Sequence, residues 1–215
     1  MRRVHLRLQE GGHKVKFDLV IAGVGGQGNI LASQVIAKCA MDAGYNVVNT
    51  ETKGAAQRGG SVLSHVRISD GEIYSPLVPV GQADILLGFE PLEAMRYINL
   101  LSRSGYFIIN NDPIPTILAN MKVDEYPSTE QMRAAIEGKG LKGCFLNATQ
   151  AAKELGNILL TNVVMLGAFT AVSDILAADV VLAQLLALVD EKYHKDDLAA
   201  FKKGRGLIMS GRAEK

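Results

Sequence analysis

Phe17-Asp18-Leu19-Val20-Ile21-Ala22 is a short apolar run, and Gly23-Val24-Gly25-Gly26-Gln27-Gly28 follows it directly. A brief apolar segment bounded by glycines reads as a strand buried on both faces. From Asn29 to Gly44 the apolar residues Ile30, Leu31, Val35, Ile36 and Ala40 recur at helical spacing, and Gly44 is a natural stop. Tyr45-Asn46-Val47-Val48-Asn49-Thr50 then reads as a second strand. A strand, a helix and a strand joined by short turns predict parallel strands with a right-handed crossover.

The same alternation continues outward. Ser61 to Ser69 alternates as a strand, Asp70-Gly71 suits a two-residue turn, and Glu72-Ile73-Tyr74-Ser75 reads as the returning strand of a hairpin. Pro76 and Pro79 end that pattern. Asp84 to Phe89 and Gly105 to Asn110 are further buried strands, with a helix over Glu90–Leu101 between them. Residues 112–127 contain three prolines and read as a long connection. Ser128 is a natural N-cap for a helix reaching Ile136. A last strand at Gly143–Asn147 and a short helix from Thr149 to Leu155 precede helices near 158–175, 178–190 and 196–209. The expected fold is α/β: a Rossmann-like, doubly wound, mostly parallel sheet with a β-hairpin insertion and C-terminal helices. The expected division is an extension over 1–14, one α/β domain over 15–192, and a helical tail over 193–215.

The chain has 215 residues, 48% hydrophobic and 21% charged, the balance of an ordinary folded domain. A formal net charge of +1 argues against a nucleic-acid surface and against an acidic solvating tail. Only two cysteines, Cys39 and Cys144, are present, far apart and without metal-ligand spacing. They read as small buried hydrophobes, and the absence of a disulfide framework points to a reducing cytoplasm. The basic start of the chain lacks the apolar stretch of a signal peptide. The apolar region from Ile158 to Val189 is broken by polar residues before it reaches the ~20 residues a membrane span needs.

Two loops carry the functional signal. Gly23, Gly25 and Gly28 form a GxGxxG turn between a strand and a helix, where free helix N–H groups can meet a phosphate. Glu51, 23 residues beyond Gly28, lies near the place of the ribose-binding acid in dinucleotide folds. The motif alone leaves three readings open: chain geometry only, NAD or FAD, or another phosphate such as the pyrophosphate of coenzyme A. Gly26 and Gln27 are unusual for a dinucleotide turn and place a small polar surface there. The second loop, Gln57-Arg58-Gly59-Gly60, should emerge on the same edge of the sheet, with Arg58 able to clamp a carboxylate or phosphate. Its alternative is a solvated surface loop with Arg58 free or paired with Glu51.

The two loops at this spacing resemble the gamma domain of pyruvate and other 2-oxoacid:ferredoxin oxidoreductases. The continuation resembles the indolepyruvate:ferredoxin oxidoreductase beta subunits more closely still. It comprises Ser64-His65-Val66-Arg67, Ser75-Pro76, Ala83-Asp84, Glu90-Pro91-Leu92-Glu93-Ala94-Met95-Arg96, Gly156-Asn157 and the stretch from Asn162 to Gly167. The resemblance covers roughly residues 15–190. One departure is Lys53, where the family pattern has His, which bears on the substrate subgroup.

The resemblance implies oxidative decarboxylation of a 2-oxoacid, an arylpyruvate such as indolepyruvate, to an acyl-coenzyme A with ferredoxin as electron acceptor. Thiamine diphosphate, Mg²⁺ and 4Fe–4S clusters are then expected on a large partner subunit, because two cysteines cannot ligate a cluster that needs about four. No thiamine diphosphate signature occurs in this chain, so it should bind no cofactor alone and be inactive alone. Coenzyme A is the ligand that it could share, at Gly23, Gly25, Gly26, Gln27, Gly28, Gln57, Arg58, Gly59 and Gly60. No independent catalytic set is visible. His65 and Arg67 share a strand face and read as structural or interface residues, able to pair across the expected hairpin. Cys39 has no base beside it, and His5, His13 and His194 read as solvated. The competing reading is a stand-alone NAD(P)-binding oxidoreductase, favoured by Glu51; a scaffold that binds no small molecule is the third.

Overall fold

β1 (Lys16–Val24) lies inside the sheet, and its apolar run explains why: Leu19, Val20, Ile21 and Ala22 are all fully buried. Each large aliphatic side chain so buried contributes roughly 1.5–3 kcal/mol, which holds this strand at the centre. The computed structural model describes residues 15–53, 60–114 and 126–213. After β1 come α1 (Asn29–Asp42), β2 (Asn46–Lys53), β3 (Ser61–Ser69), β4 (Ala83–Gly88) and α2 (Pro91–Tyr97), then β5 (Leu101–Asn110) and α3 (Thr129–Glu137). β6 (Lys142–Leu146), α4 (Ala148–Glu154), α5 (Thr161–Val172), α6 (Ala178–Leu188) and α7 (His194–Ala213) complete the described order.

The six strands form one sheet in the order β2-β3-β1-β4-β5-β6. β1, β4, β5 and β6 are parallel neighbours, while β3 runs antiparallel to both β1 and β2. β1 and β2 therefore run the same way, as the strand–helix–strand pattern predicts. They are not neighbours, because β3 fills the place between them. The hairpin also has a different partner. β3 pairs with β2 before it, from Asn46↔Ser69 to Lys53↔Val62, and Glu72–Ser75 forms no strand. Asp70 instead exchanges hydrogen bonds with Val15, Asp70 N donating to Val15 O (3.2 Å) and Val15 N to Asp70 Oδ2 (2.9 Å). A strand with two long neighbours already satisfies its backbone on both sides, so a local return strand has nothing to bond.

Alternation along the strands divides the core between the faces. Leu19 and Ile21 of β1 join the larger core under α1, α5, α6 and α7. Val20 and Ala22 join a smaller core on the other face, with Ala94 of α2 and Ile136 of α3. This is the two-layer covering that a mostly parallel sheet requires. Ser128 caps α3 as expected: its side chain accepts from Gln131 N (3.2 Å), and the Gln131 side chain accepts from Ser128 N (2.8 Å). α7 packs onto α5, where Phe201 is buried and Arg205 donates to the Thr170 carbonyl at 3.0 Å. Among the described residues no helix is long and apolar enough to cross a membrane.

Candidate functional site

The glycine turn sits where β1 gives way to α1, at the carboxyl edge of the parallel strands, the usual ligand edge of such sheets. Gly28 is the N-cap of α1 with φ +83°, and no side chain caps this end. A Cβ at Gly28 would lie 2.3 Å from Asn162 Nδ2 of α5, so any other residue there strains the backbone and forces the Asn162 side chain to shift. The helical ladder starts with Ala32 N donating to Gly28 O (3.1 Å). The N–H groups before it have no partner within the helix and sit at its positive end.

Gln27 shapes the turn. Its Oε1 accepts from Val24 N (2.7 Å) and its Nε2 donates to the Phe89 carbonyl (3.1 Å), bracketing the ends of β1 and β4. That bracket needs Gly23, where a Cβ would come within 2.8 Å of Gln27 Oε1. Phe89 O also accepts from Asn110 Nδ2 (3.2 Å), and Asn110 is bonded to Thr149 at the start of α4. A neutral amide network thus joins β1, β4, β5 and α4. Asn29 is buried and its Oδ1 has no hydrogen-bond partner. An unsatisfied buried acceptor beneath the turn costs stability.

A cleft of about 370 Å³ opens beside the turn. Gly26, Gln27 and Gly28 form one wall, Asp112 and Ile114 a second, and Ile158, Leu159, Thr161 and Asn162 a third. Ile158 and Leu159 are exposed, so the cleft has an apolar lip beside the glycine turn. The two expected loops do meet on this edge: Gly25 N donates to the Gly60 carbonyl (2.9 Å). Gln57, Arg58 and Gly59 lie outside the described residues.

Two buried carboxylates that the sequence reading assigned no role flank the same edge. Glu90 caps α2 by accepting from Glu93 N (2.8 Å), and it also accepts from Ile114 N (3.4 Å) and the Tyr126 hydroxyl. Burial first, then the hydrogen bond to Glu90, pushes the Tyr126 hydroxyl well above its ordinary range. Glu93 accepts from Ser61 Oγ (2.5 Å) and pairs with Arg96 (3.4 Å). Burial raises the Glu93 carboxyl, against the lowering effects of Ser61 and Arg96. The signal for these residues was Glu90 directly before Pro91, an acidic N-cap ahead of a proline at the first helical position.

The residues favouring a nucleotide dehydrogenase part company. β3 separates β2 from β1, which moves Glu51 one strand away from the glycine turn, and Glu51 Oε1 accepts from Ser33 Oγ (3.3 Å). The stand-alone NAD(P) reading is not supported. His65 and Arg67 do not pair across a hairpin. They pin the segment that replaces it: Arg67 Nη1 donates to the Ser75 carbonyl (2.9 Å), and His65 Nδ1 accepts from Val78 N (3.2 Å). His194 is bonded rather than free, Nε2 lying 3.1 Å from the Val189 carbonyl. Cys39 is buried, and burial pushes its thiol up to about 11, which makes it a poor nucleophile. Among the described residues no group of three His, Cys, Asp or Glu side chains could hold a metal. Iron–sulfur ligation therefore does not fit them.

Fold and edge cleft define an α/β domain with a mostly parallel sheet and an open cleft at its carboxyl edge. The chain belongs to the pyruvate ferredoxin/flavodoxin oxidoreductase family, whose model matches residues 18–207. It is 43% identical over 157 residues to the indolepyruvate oxidoreductase subunit IorB of Pyrococcus horikoshii, covering 72% of this chain and 77% of that one. It is 31% identical over 200 residues to the 2-oxoglutarate synthase subunit KorC of Methanothermobacter thermautotrophicus, covering 92% and 98%. The same fold occurs, at TM-score 0.67 and 23% identity, in the 2-oxoglutarate:ferredoxin oxidoreductase of Magnetococcus marinus solved with 2-oxoglutarate, coenzyme A and succinyl-CoA bound. That likeness covers 91% of this chain and 31% of that one.

Proposed function

We propose that this chain is the small subunit of a 2-oxoacid:ferredoxin oxidoreductase acting on an arylpyruvate such as indolepyruvate, and that it supplies part of the coenzyme A site. The reaction oxidises the 2-oxoacid with loss of carbon dioxide. The acyl group passes to the coenzyme A thiol, one proton is released, and two electrons pass to ferredoxin. Thiamine diphosphate, Mg²⁺ and the 4Fe–4S clusters sit on a large partner subunit in this reading. The two free cysteines, the cofactors' redox chemistry and the family together favour the cytoplasm.

The observation that carries the proposal is the uncapped N-terminus of α1, opening through Gly28 into a cleft at the carboxyl edge. A pyrophosphate placed there meets N–H groups and the positive end of the helix. Gly23 and Gln27 hold the turn, Gly25, Gly26 and Gly28 let the ligand approach the backbone, and Gln57-Arg58-Gly59-Gly60 adds a cation from the second loop. The apolar lip at Ile158 and Leu159 suits the less polar part of the ligand or the partner's surface.

The test is co-expression with a candidate large subunit, followed by arylpyruvate-dependent reduction of ferredoxin with and without coenzyme A. A stable complex that needs both chains, and that loses coenzyme A affinity in Arg58→Ala, supports the reading. Full activity of the large subunit alone would refute it.

A further inference from the structure

The first turn of α2 contacts Ile114 of one cleft wall and, through Ser61, the segment bonded to the glycine turn, without lining the cleft itself. Glu93 accepts from Ser61 Oγ at 2.5 Å, and Ser61 follows Gly60, whose carbonyl takes the Gly25 N–H at 2.9 Å. The glycine turn is thereby linked to α2 by two hydrogen bonds joined through the Gly60–Ser61 peptide. Glu90, one turn earlier, accepts from Ile114 N, which belongs to the second wall. Phe89, directly before Glu90, receives the Gln27 side chain at 3.1 Å. Three of five consecutive residues, Phe89, Glu90 and Glu93 within 89–93, thus hold the glycine turn and the Ile114 wall against the same helix.

These carboxylates do more than cap α2 and pair with Arg96: they also bond residues outside the helix. Both side chains are almost fully buried, Glu90 at 1% and Glu93 at 4% exposure, and the two are neighbours of like charge. Burying acids this close together costs stability unless each is hydrogen-bonded. Each oxygen for which the structure gives a bond points to a cleft wall, to α2 itself or to a flanking side chain.

We propose that Glu93 and Glu90 are positioning residues for the coenzyme A cleft: Glu93 sets the glycine turn through Ser61 and Gly60, and Glu90 sets the opposite wall through Ile114. This rests on the coenzyme A reading above. Neither carboxylate touches the ligand.

The test uses the two-subunit enzyme. Ser61→Ala and Glu93→Met each remove the Ser61–Glu93 bond. Each should raise the KM for coenzyme A by about three- to tenfold, the effect of losing one hydrogen bond, with a much smaller change in kcat. The double variant should be no worse than either alone, because both break one chain. Glu93→Gln keeps an oxygen for Ser61 and should restore KM to near the native value. Hydrogen exchange of the peptide containing Gly25 should quicken in Ser61→Ala, which a purely global loss of stability would not confine to that peptide.

Additive effects, or an unmoved KM in Ser61→Ala while Gly28→Ala raises it, would overturn the positioning role and leave the cleft assignment standing. An unmoved KM in all of these variants, with Arg58→Ala also silent, would overturn the coenzyme A reading itself and the positioning role with it.

Discussion

The two edges of the sheet carry cavities of similar size and opposite chemistry. At the amino edge a space of about 330 Å³ borders Asp18, Arg67 and Tyr74. Its charges are spent internally: Arg67 Nε and Nη2 bond Asp18 (2.7 and 3.2 Å), and Nη1 bonds the Ser75 and Leu77 carbonyls. Lys16 adds a second cation 3.4 Å from Asp18. At the carboxyl edge the turn is neutral, shaped by glycines and by the amides of Gln27 and Asn110, and it leaves the Asn29 Oδ1 acceptor unsatisfied. The difference teaches that the conspicuous charged side chains at the amino edge build the protein, while the quiet, uncharged turn at the other edge is where the proposed ligand site lies.

Breaking the amino edge should give the largest effect. Arg67→Ala leaves the buried Asp18 carboxylate with only the partly exposed Lys16 beside it and should cost about 3 kcal/mol in urea unfolding. The KM for coenzyme A of whatever complex assembles should stay close to native; a large KM change would show that the two edges are not separable. Gly28→Ala attacks the other edge. It forces a side chain into left-handed backbone against Asn162 and should cost about 1–3 kcal/mol while weakening coenzyme A binding as well. A stability loss without a binding loss would remove the ligand from the turn.

Acid separates the edges more finely. His65 must be neutral for Nδ1 to accept from Val78, and burial, then Arg67, lowers its folded pKa below 6.5. A base with a depressed folded pKa contributes stability that is present above 6.5 and lost as pH falls from there through the lower folded pKa. The melting temperature should therefore fall on acidification below that point, by about 2–4 °C for roughly one hydrogen bond. His65→Gln should abolish that part of the pH dependence. Glu93 has the opposite sign. Its folded pKa is raised above 4.5, so its contribution is present at low pH and is lost as pH rises. Glu93→Gln should melt no lower than the native chain at neutral pH, and its relative advantage should shrink toward pH 4. A constant offset would mean that the carboxyl is not held up by burial.

Much of this was legible along the chain. The β1 apolar run, the α1 periodicity and the Ser128 cap are local, and each appears where the pattern places it. The strand at Ser61–Ser69 was equally legible, but its partners were not. Asp70-Gly71 suggested a return strand because turn chemistry is local, whereas pairing depends on which long neighbour is within reach. The same limit hid the site's frame. Glu90 before Pro91 was readable as a helix cap, but its place beside the glycine turn, with that of Glu93 and Asn110, follows only from the sheet order.

The sequence by itself determined the α/β class, the glycine turn between β1 and α1, and the family, because these rest on short-range periodicity and on residues a few positions apart. Only the tertiary structure decided that β3 lies between β1 and β2, which carries Glu51 away from the turn, and that the first turn of α2 contacts Ile114 of one cleft wall and, through Ser61, the segment bonded to the glycine turn. Those facts depend on contacts between residues 9 to 53 positions apart, set by which buried surfaces and backbone groups satisfy one another in three dimensions.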